Sequence, residues 1–278
     1  MSDAQLSASM SPLTIAVLVK YVPDAQFDRH LKETNEGGYA LERAESILSE
    51  LDEYPLEAAL QLAEARGGEA AGNRVIAVTM GSDAAIGAVK KALQIGAYEG
   101  VQLSDPALAG SDVSATSLAL AALIRSLGPV DLVLTGMAST DGETSLVPAQ
   151  LAARLGMPQL TFASSLELND GVLTARRDGD AYAEVLEAAL PAVVSVTDQI
   201  NQPRYPNFKG IMAAKKRQVS VLSLADIGVE PAQVGAAGAL TVVAEASPRP
   251  PRSAGVIITD EGDAGVKLVD FLAEQKLL

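Results

Sequence analysis

The chain of 278 residues has no cysteine, no tryptophan and a single histidine. The lack of cysteine excludes disulfides, thiolate nucleophiles, iron–sulfur clusters and cysteine-ligated zinc sites. The one histidine, His30, lies in a polar stretch rich in acids and bases, where we expect a solvated loop residue. Such a composition leaves little material for acid–base or nucleophilic catalysis at neutral pH. We therefore expect no catalytic residues and no metal site on this chain.

Aromatic side chains and positive charge are also scarce. Hydrophobic residues make up 48% of the chain but aromatic residues only 4%, so the core must be built from Ala, Leu, Val and Ile. The formal charge of −14 argues against nucleic acid as a partner, because phosphate binding needs a cationic surface. No apolar run reaches the roughly 18 residues of a membrane span, and the first residues do not resemble a secretory signal. We expect a cytoplasmic protein without direct membrane insertion.

Apolar strands alternate with amphipathic helices over the first 160 residues, which predicts an α/β fold with a doubly wound, mostly parallel sheet. The helix after residue 47 is expected to begin near Glu53, with Pro55 in its first turn. Asp112 is expected to cap a helix that runs to Leu127. The predicted parallel strands are Thr14–Val19, Arg74–Thr79, Val101–Ser104 and Asp131–Thr135.

The texture of the sequence changes after Pro158. Short strands joined by tight turns predict an antiparallel extension of the same sheet, at Ser165–Leu168, Val172–Arg177, Tyr182–Leu186 and Ala192–Thr197. Residues 239–278 are predicted to form a C-terminal extended arm beside a domain of residues 1–238, with a last helix near Gly265–Gln275. An arm with so little core of its own either lacks a fixed conformation or packs along a partner.

Nucleotide binding is one interpretation of the loops that follow the predicted parallel strands. The sequence has neither GxGxxG after the first strand nor GxxxxGK[ST] anywhere, so scattered loop edges would have to form the site. In a doubly wound sheet four such edges can converge, and helix starts there offer free N–H groups to anions. The alternative is a set of ordinary strand–loop–helix units. The four edges are Lys20–Asp24, Ser49–Asp52, Met80–Gly81 and Gly136–Val147.

A second informative segment runs from Asn201 to Arg217. It is predicted to be an irregular, proline-braced loop that presents Tyr205, Phe208, Ile211 and Met212 beside Lys209. Apolar clusters rimmed by polar groups commonly mark partner sites. The alternative is that Phe208, Ile211 and Met212 cover the core of their own domain.

Four long motifs follow one another along the chain: VLVKYVPD, VIAVTMGSDAAIGAVKKALQIGA, STDGETSLVPAQLAARLGMPQLTF and LPAVVSVTDQINQPRYPNFKGIMAAKK. Together, from Thr14 to the C-terminus, they resemble the β subunit of electron-transfer flavoprotein. The resemblance implies an adenine-nucleotide-type α/β fold and an obligate heterodimer with an α subunit that carries most of the FAD contacts. It also implies a flavin near the subunit junction and a structural AMP on the β subunit.

The resemblance also implies which residues act. A recognition segment would dock into acyl-CoA dehydrogenases and similar flavoenzymes, with Phe208 as its apolar anchor and Tyr205, Lys209, Ile211 and Met212 around it. Lys20, at the first loop edge, joins the cofactor-binding candidates. The AMP-facing positions would be Leu18, Ser49, Glu50, Leu51, Asp52, Met80, Met137, Ala138, Ser139, Thr140, Asp141, Gly142, Glu143, Thr144, Ser145, Leu146 and Val147.

Some positions depart from the family pattern. Leu146 and Pro148 stand where many relatives have Gln and Gly, which removes a side-chain amide and a backbone N–H from the phosphate contacts. Ala25 stands where some members place an aromatic residue near the flavin, and Ala213 where a lysine is often found.

The resulting hypothesis is an electron carrier rather than an enzyme. It would accept electrons from flavin-dependent dehydrogenases, as in fatty acid oxidation, through FAD held with the α subunit, and pass them to a membrane quinone oxidoreductase. One alternative is an electron-bifurcating flavoprotein with FAD in place of AMP. The other is a stand-alone nucleotide-binding regulatory domain.

Overall fold

A computed structural model describes residues 11–27, 29–33, 39–43, 45–247, 250–251 and 255–278. The strands are β1 Thr14–Leu18, β2 Tyr21–Pro23, β3 Leu31–Glu33, β4 Tyr39–Leu41, β5 Ser46–Leu48, β6 Arg74–Met80, β7 Glu99–Leu103, β8 Leu132–Gly136, β9 Gln159–Asn169, β10 Val172–Asp178, β11 Ala183–Ala189, β12 Ala192–Val196 and β13 Val219–Leu222. The helices are α1 Glu50–Glu64, α2 Ile86–Ile95, α3 Val113–Ser126, α4 Val147–Leu155, α5 Phe208–Ala214, α6 Gly235–Gly238 and α7 Ala264–Glu274.

The main sheet has nine strands in the order β11-β10-β9-β12-β8-β1-β6-β7-β13. Neighbours from β9 to β13 in this order pair in parallel. The β9–β10 and β10–β11 pairs are antiparallel. This arrangement confirms the predicted α/β class and its antiparallel extension.

The two faces of β1 feed two different cores, as expected of a strand that is covered on both sides. Ile15 and Val17 pack in one core with residues of α1 and α2. Ala16 and Leu18 pack in the other core with residues of α3 and α4. The chain leaves β1 toward β6 and β7, then crosses to β8 on the other side of β1. The topological switch point of the sheet therefore lies between β1 and β8.

The predicted position of β12 in the sheet was wrong. Ala192–Val196 is an interior strand that pairs in parallel with β8 and with β9, and all five of its residues are buried. Burial on both faces explains its mostly apolar composition, which is typical of a central parallel strand, and the buried Ser195 hydroxyl accepts a bond from the N–H of Phe162. The antiparallel extension proper is formed by the second half of β9 with β10 and β11.

The start of α1 also differs from expectation. The helix begins at Glu50, so Pro55 lies in its second turn rather than its first. A proline there cannot donate to the carbonyl of Leu51. This carbonyl faces Gly136 at the end of β8, where an added Cβ would lie 2.6 Å from the Leu51 oxygen. The close approach of β8 to α1 therefore requires glycine at position 136.

The chain divides into two compact units, Met1–Ala244 and Glu245–Leu278. The second unit contains α7, in which no residue is buried.

Asp112 caps α3 as predicted, because its carboxylate accepts a 2.9 Å bond from the N–H of Ala115. Among the described residues, no helix combines the length and the apolar character that a membrane crossing requires.

Candidate functional site

The switch point brings together three of the predicted loop edges, because Gly136 at the end of β8 lies against Leu51 and Asp52. The backbone N–H of Lys20, just beyond β1, donates to Asp52 Oδ2 at 2.7 Å, and the N–H of Ser49 donates to the carbonyl of Lys20 at 2.9 Å. The side chain of Leu18, by contrast, is packed in the core, so only its backbone faces this edge. The first turn of α1 is thereby fixed against the carboxyl end of β1, in the crevice where doubly wound proteins bind ligands.

An ion pair between the partly exposed Lys20 and the buried Asp52 holds this junction. Lys20 Nζ lies 2.5 Å from Asp52 Oδ1, and the Asp52 side chain has no solvent exposure. Burial raises the pKa of Asp52, while the ammonium group and the backbone N–H of Lys20 oppose this rise. A carboxylate held in this way is already satisfied by the protein and does not need a ligand.

Two buried hydroxyls at the same edge are without partners among the described residues. They are Ser49 Oγ, at the N-cap of α1, and Thr79 Oγ1, next to Met80 at the end of β6. A buried polar atom without a hydrogen bond costs about 1–3 kcal/mol, so such atoms require an explanation. Because the first N–H groups of a helix also lack intrahelical partners, the edge offers hydrogen-bond donors to a polar ligand.

The predicted loop 137–147 connects β8 to α4. Glu143 and Ser145 have φ values of 53° and 52°, in the left-handed region that non-glycine residues rarely adopt. Leu146 follows with φ −92° and has no side-chain cap bond to α4. Alternation of left- and right-handed residues turns successive N–H groups toward one point, as in anion-binding nests. Pro148, in the first turn of α4, contributes no donor.

The acids of this loop are paired with two arginines. Asp141 bonds with Ser139 and Arg43, and Glu143 lies 3.0 Å from Arg29. Although burial alone would raise the pKa of Asp141, its bonds with Ser139 and Arg43 lower it. Sequence reasoning missed both arginines because they lie 98 and 114 residues from their partners, and no local pattern marks them.

The remaining candidates occupy less enclosed positions. Met80 and Val147 are partly buried and pack against the core on the α3 and α4 face. Gly142, Glu143, Thr144 and Leu146 are exposed. His30 is exposed as well, as predicted. The described residues contain no cluster of acids or histidines that would hold a metal ion.

Residues 201–217, which we call the docking segment, form an exposed surface. Tyr205 is 89% exposed, Phe208 80% and Met212 41%, whereas Ile211 is partly buried. The alternative in which Phe208, Ile211 and Met212 cover the domain core is therefore wrong for Phe208 and Met212. The prediction of an irregular loop is correct only up to Asn207. Asn207 caps α5 by accepting a 2.8 Å bond from Gly210 N–H.

Positive charge surrounds Phe208. The side chain lines a shallow depression together with Lys209, Met212, Ala213, Lys216 and Arg217. Arg217 is engaged elsewhere, since it forms an ion pair with Glu69 and donates to the carbonyl of Tyr98. Within the described ranges, Lys209, Lys215 and Lys216 form no ion pair, which leaves their charge available for long-range attraction.

Comparison with known proteins points to one family. Residues 37–227 match the electron transfer flavoprotein domain. The electron transfer flavoprotein subunit beta of Mycobacterium leprae is 44% identical over 95% of this chain and 99% of its own length. The subunit beta of Megasphaera elsdenii is 32% identical over 83% and 86% of the two chains.

A third relative belongs to a larger assembly. Subunit CarD of the caffeyl-CoA reductase–Etf complex of Acetobacterium woodii is 34% identical over 96% of this chain and the whole of its own. The similarities include both the switch-point edge and the docking segment. This chain therefore belongs to the electron transfer flavoprotein β-subunit family.

Proposed function

We propose that this chain is the β subunit of a heterodimeric flavoprotein that carries electrons between flavin-dependent dehydrogenases and a membrane quinone oxidoreductase. The observation that carries the proposal is the near full-length similarity to curated β subunits, which takes in the exposed docking segment. FAD held with an α subunit would supply the redox chemistry. This chain would close the flavin site, hold a structural nucleotide and bind the electron donor.

The switch-point edge is proposed as the site of a structural AMP. The partnerless hydroxyl of Ser49, the first turn of α1 and the nest at Ser145 and Leu146 offer donors to a phosphate or ribose. Asp141 and Glu143 would not repel the phosphate, because Arg43 and Arg29 neutralise them. The hydroxyls of Thr144 and Ser145 are proposed as further phosphate contacts.

The content of the purified heterodimer tests the nucleotide proposal. Denaturation followed by mass spectrometry is expected to release one AMP and one FAD per heterodimer. Ser49→Ala should speed AMP loss about fivefold, because one hydrogen bond contributes about 1 kcal/mol. Ser126→Ala, on the outer part of α3, is the control and should retain AMP normally. A complex that releases neither AMP, ADP nor a second FAD would refute the proposed nucleotide site.

The released nucleotide also decides between the proposed function and the electron-bifurcating alternative. Two FAD molecules and no AMP would favour the latter. The similarity to a subunit of the caffeyl-CoA reductase–Etf complex is the observation that supports this second candidate. A stand-alone regulatory domain would instead be a stable monomer that binds no α subunit.

Exposed apolar side chains support the proposal that the C-terminal arm packs on the α subunit. In the first unit Leu240 and Val242 are both 82% exposed, and in the second Val256 and Ile257 are 73% and 92% exposed. Apolar side chains exposed at this density commonly mark interaction surfaces. Their burial against another chain would stabilise the heterodimer.

Asp112 is expected to direct the start of this arm. Its Oδ2 accepts bonds from the N–H groups of Leu240 and Thr241 at 2.9 and 3.1 Å, while Oδ1 caps α3. Asp112→Ser keeps a helix cap, but its single hydroxyl oxygen cannot both cap α3 and accept the bonds from Leu240 and Thr241. We expect an unchanged melting temperature and about fivefold weaker association with the α subunit, equivalent to one lost hydrogen bond, in dilution experiments. Equal affinity for the variant and the native chain would contradict this role.

A further inference from the structure

The strongest polar network outside the switch point lies under the docking segment. Arg204 Nε and Nη2 donate to the Glu57 carboxylate at 2.6 and 3.0 Å, and Nη1 and Nη2 donate to Glu64 at 2.6 and 3.0 Å. The N–H of Arg204 also donates to Glu57, at 3.3 Å. One guanidinium thus joins two carboxylates that lie about two helical turns apart on the same face of α1.

The two carboxylates differ in burial, and this difference defines their roles. The Glu57 side chain is 5% exposed and that of Glu64 is 49% exposed. Burial opposes ionisation of Glu57, yet bonds from Arg204 and Gln61 lower its pKa. A bidentate pair with one buried partner has a fixed geometry, unlike a surface ion pair.

Within the part of the chain that the structure describes, polar contacts hold this part of the segment to α1. Tyr205 is 89% exposed and, with Gln202 and Pro203, borders an open groove rather than a core. Asn201 adds one anchor, a 2.9 Å bond from its amide to the carbonyl of Tyr54 on α1. The backbone between Asn201 and Asn207 has no regular structure, so polar anchors on α1 decide its course.

Arg204 precedes the exposed anchor Phe208 by four residues, and α5 begins at Phe208. We propose that Arg204 is a positioning residue that clamps the docking segment to α1 and thereby presents Phe208 to the electron donor in one orientation. This inference rests on the proposed docking function. Preorganisation of a binding segment raises affinity by reducing the ordering that association requires.

Steady-state kinetics of the holo-heterodimer with an acyl-CoA dehydrogenase test the clamp. Arg204→Met is expected to raise the KM for the flavoprotein about tenfold while kcat and flavin content stay unchanged, because disordered anchors bind more weakly. Arg204→Lys should recover part of this loss, since it keeps the charge but not the bidentate geometry. Amide exchange at residues 202–208 should accelerate in the same order.

A matched arginine controls for general stability. Arg177 pairs with Glu184 across β10 and β11 of the antiparallel extension, with a 2.9 Å bond from Nε, and Arg177→Met should leave KM unchanged. If Arg204→Met does not fold, Glu64→Gln weakens the Arg204–Glu64 pair and leaves the buried Glu57 paired with Arg204. That variant should still raise KM by a factor of about three.

Combining Arg204→Met with Phe208→Ala distinguishes a failure of the clamp proposal from a failure of the docking function. If Arg204 acts through Phe208, Arg204→Met should raise KM much less in a Phe208→Ala background than in the native chain. A normal KM for Phe208→Ala alone would refute the docking function itself. A raised KM for Phe208→Ala together with a normal KM for Arg204→Met and Glu64→Gln would refute only the clamp. A lower melting temperature without any change in KM would make Arg204 purely structural.

Discussion

Replacing Lys20 with methionine is expected to destabilise the folded holo-heterodimer by about 3–5 kcal/mol at neutral pH, because the buried Asp52 carboxylate loses its only charged partner among the described residues. The backbone N–H of Lys20 remains, but it cannot balance a full negative charge in a buried site. The junction of β1 with α1 should loosen, and bound nucleotide should be lost with it.

The pH dependence of this loss has a defined sign. Burial raises the pKa of Asp52 above that of an unfolded aspartate, and removing the ammonium raises it further. The folded state then binds a proton that the unfolded state releases, so stability falls as pH rises through the folded pKa. Urea unfolding at pH 5.5, 7.0 and 8.0 should show a loss that grows with pH.

Two further variants make this test specific. Lys32→Met removes a comparable pair with Glu42 at an exposed site and should cost less than about 1 kcal/mol at each pH. Asp52→Asn in the Lys20→Met background removes the buried charge and should recover much of the stability. A loss of the same size at every pH would show that the charge of Asp52 is not the cause.

Replacing Phe208 with alanine is expected to weaken binding of the dehydrogenase by about 2 kcal/mol or more, which corresponds to an increase of about 30-fold in KM. Because the side chain is 80% exposed, folding, flavin content and association with the α subunit should not change. Flavin reduction by a dehydrogenase at several flavoprotein concentrations measures this effect.

Salt and a second aromatic position complete the experiment. Tyr182, which is 72% exposed in the segment between β10 and β11, provides the control, and Tyr182→Ala should retain the native KM. Lys209→Gln and Lys216→Gln should mainly slow association and reduce its dependence on ionic strength. Loss of flavin or of stability in Phe208→Ala would mean that this side chain belongs to an interface inside the heterodimer.

The order of strands shows which strands a local sequence pattern can place and which it cannot. Alternation of apolar runs and amphipathic helices placed β1, β6, β7 and β8 to within about two residues, because such periodicity reports which faces are buried. The same pattern could not place β12, since an apolar run is equally suited to either side of a sheet. Its parallel pairing with β8 follows from chain topology.

The candidate site likewise has some features that the sequence predicted and others that only the structure showed. Composition excluded cysteine chemistry, and the long motifs located both the switch-point edge and Phe208. Pairing between distant side chains was invisible, however. Lys20 reaches Asp52 across 32 residues and Arg204 reaches Glu57 across 147 residues. Such partners have no fixed spacing along the chain.

The sequence by itself therefore determined the class of fold and the absence of cysteine chemistry, and it predicted which segments form the site, because these depend on composition and on local order. Only the tertiary structure decided that Asp52 is buried and paired, that Arg204 is held between Glu57 and Glu64, and that Phe208 is exposed. Burial and charge pairing depend on which elements pack together in space. The packing of α1 against the carboxyl end of β1 and beneath the docking segment created these contacts.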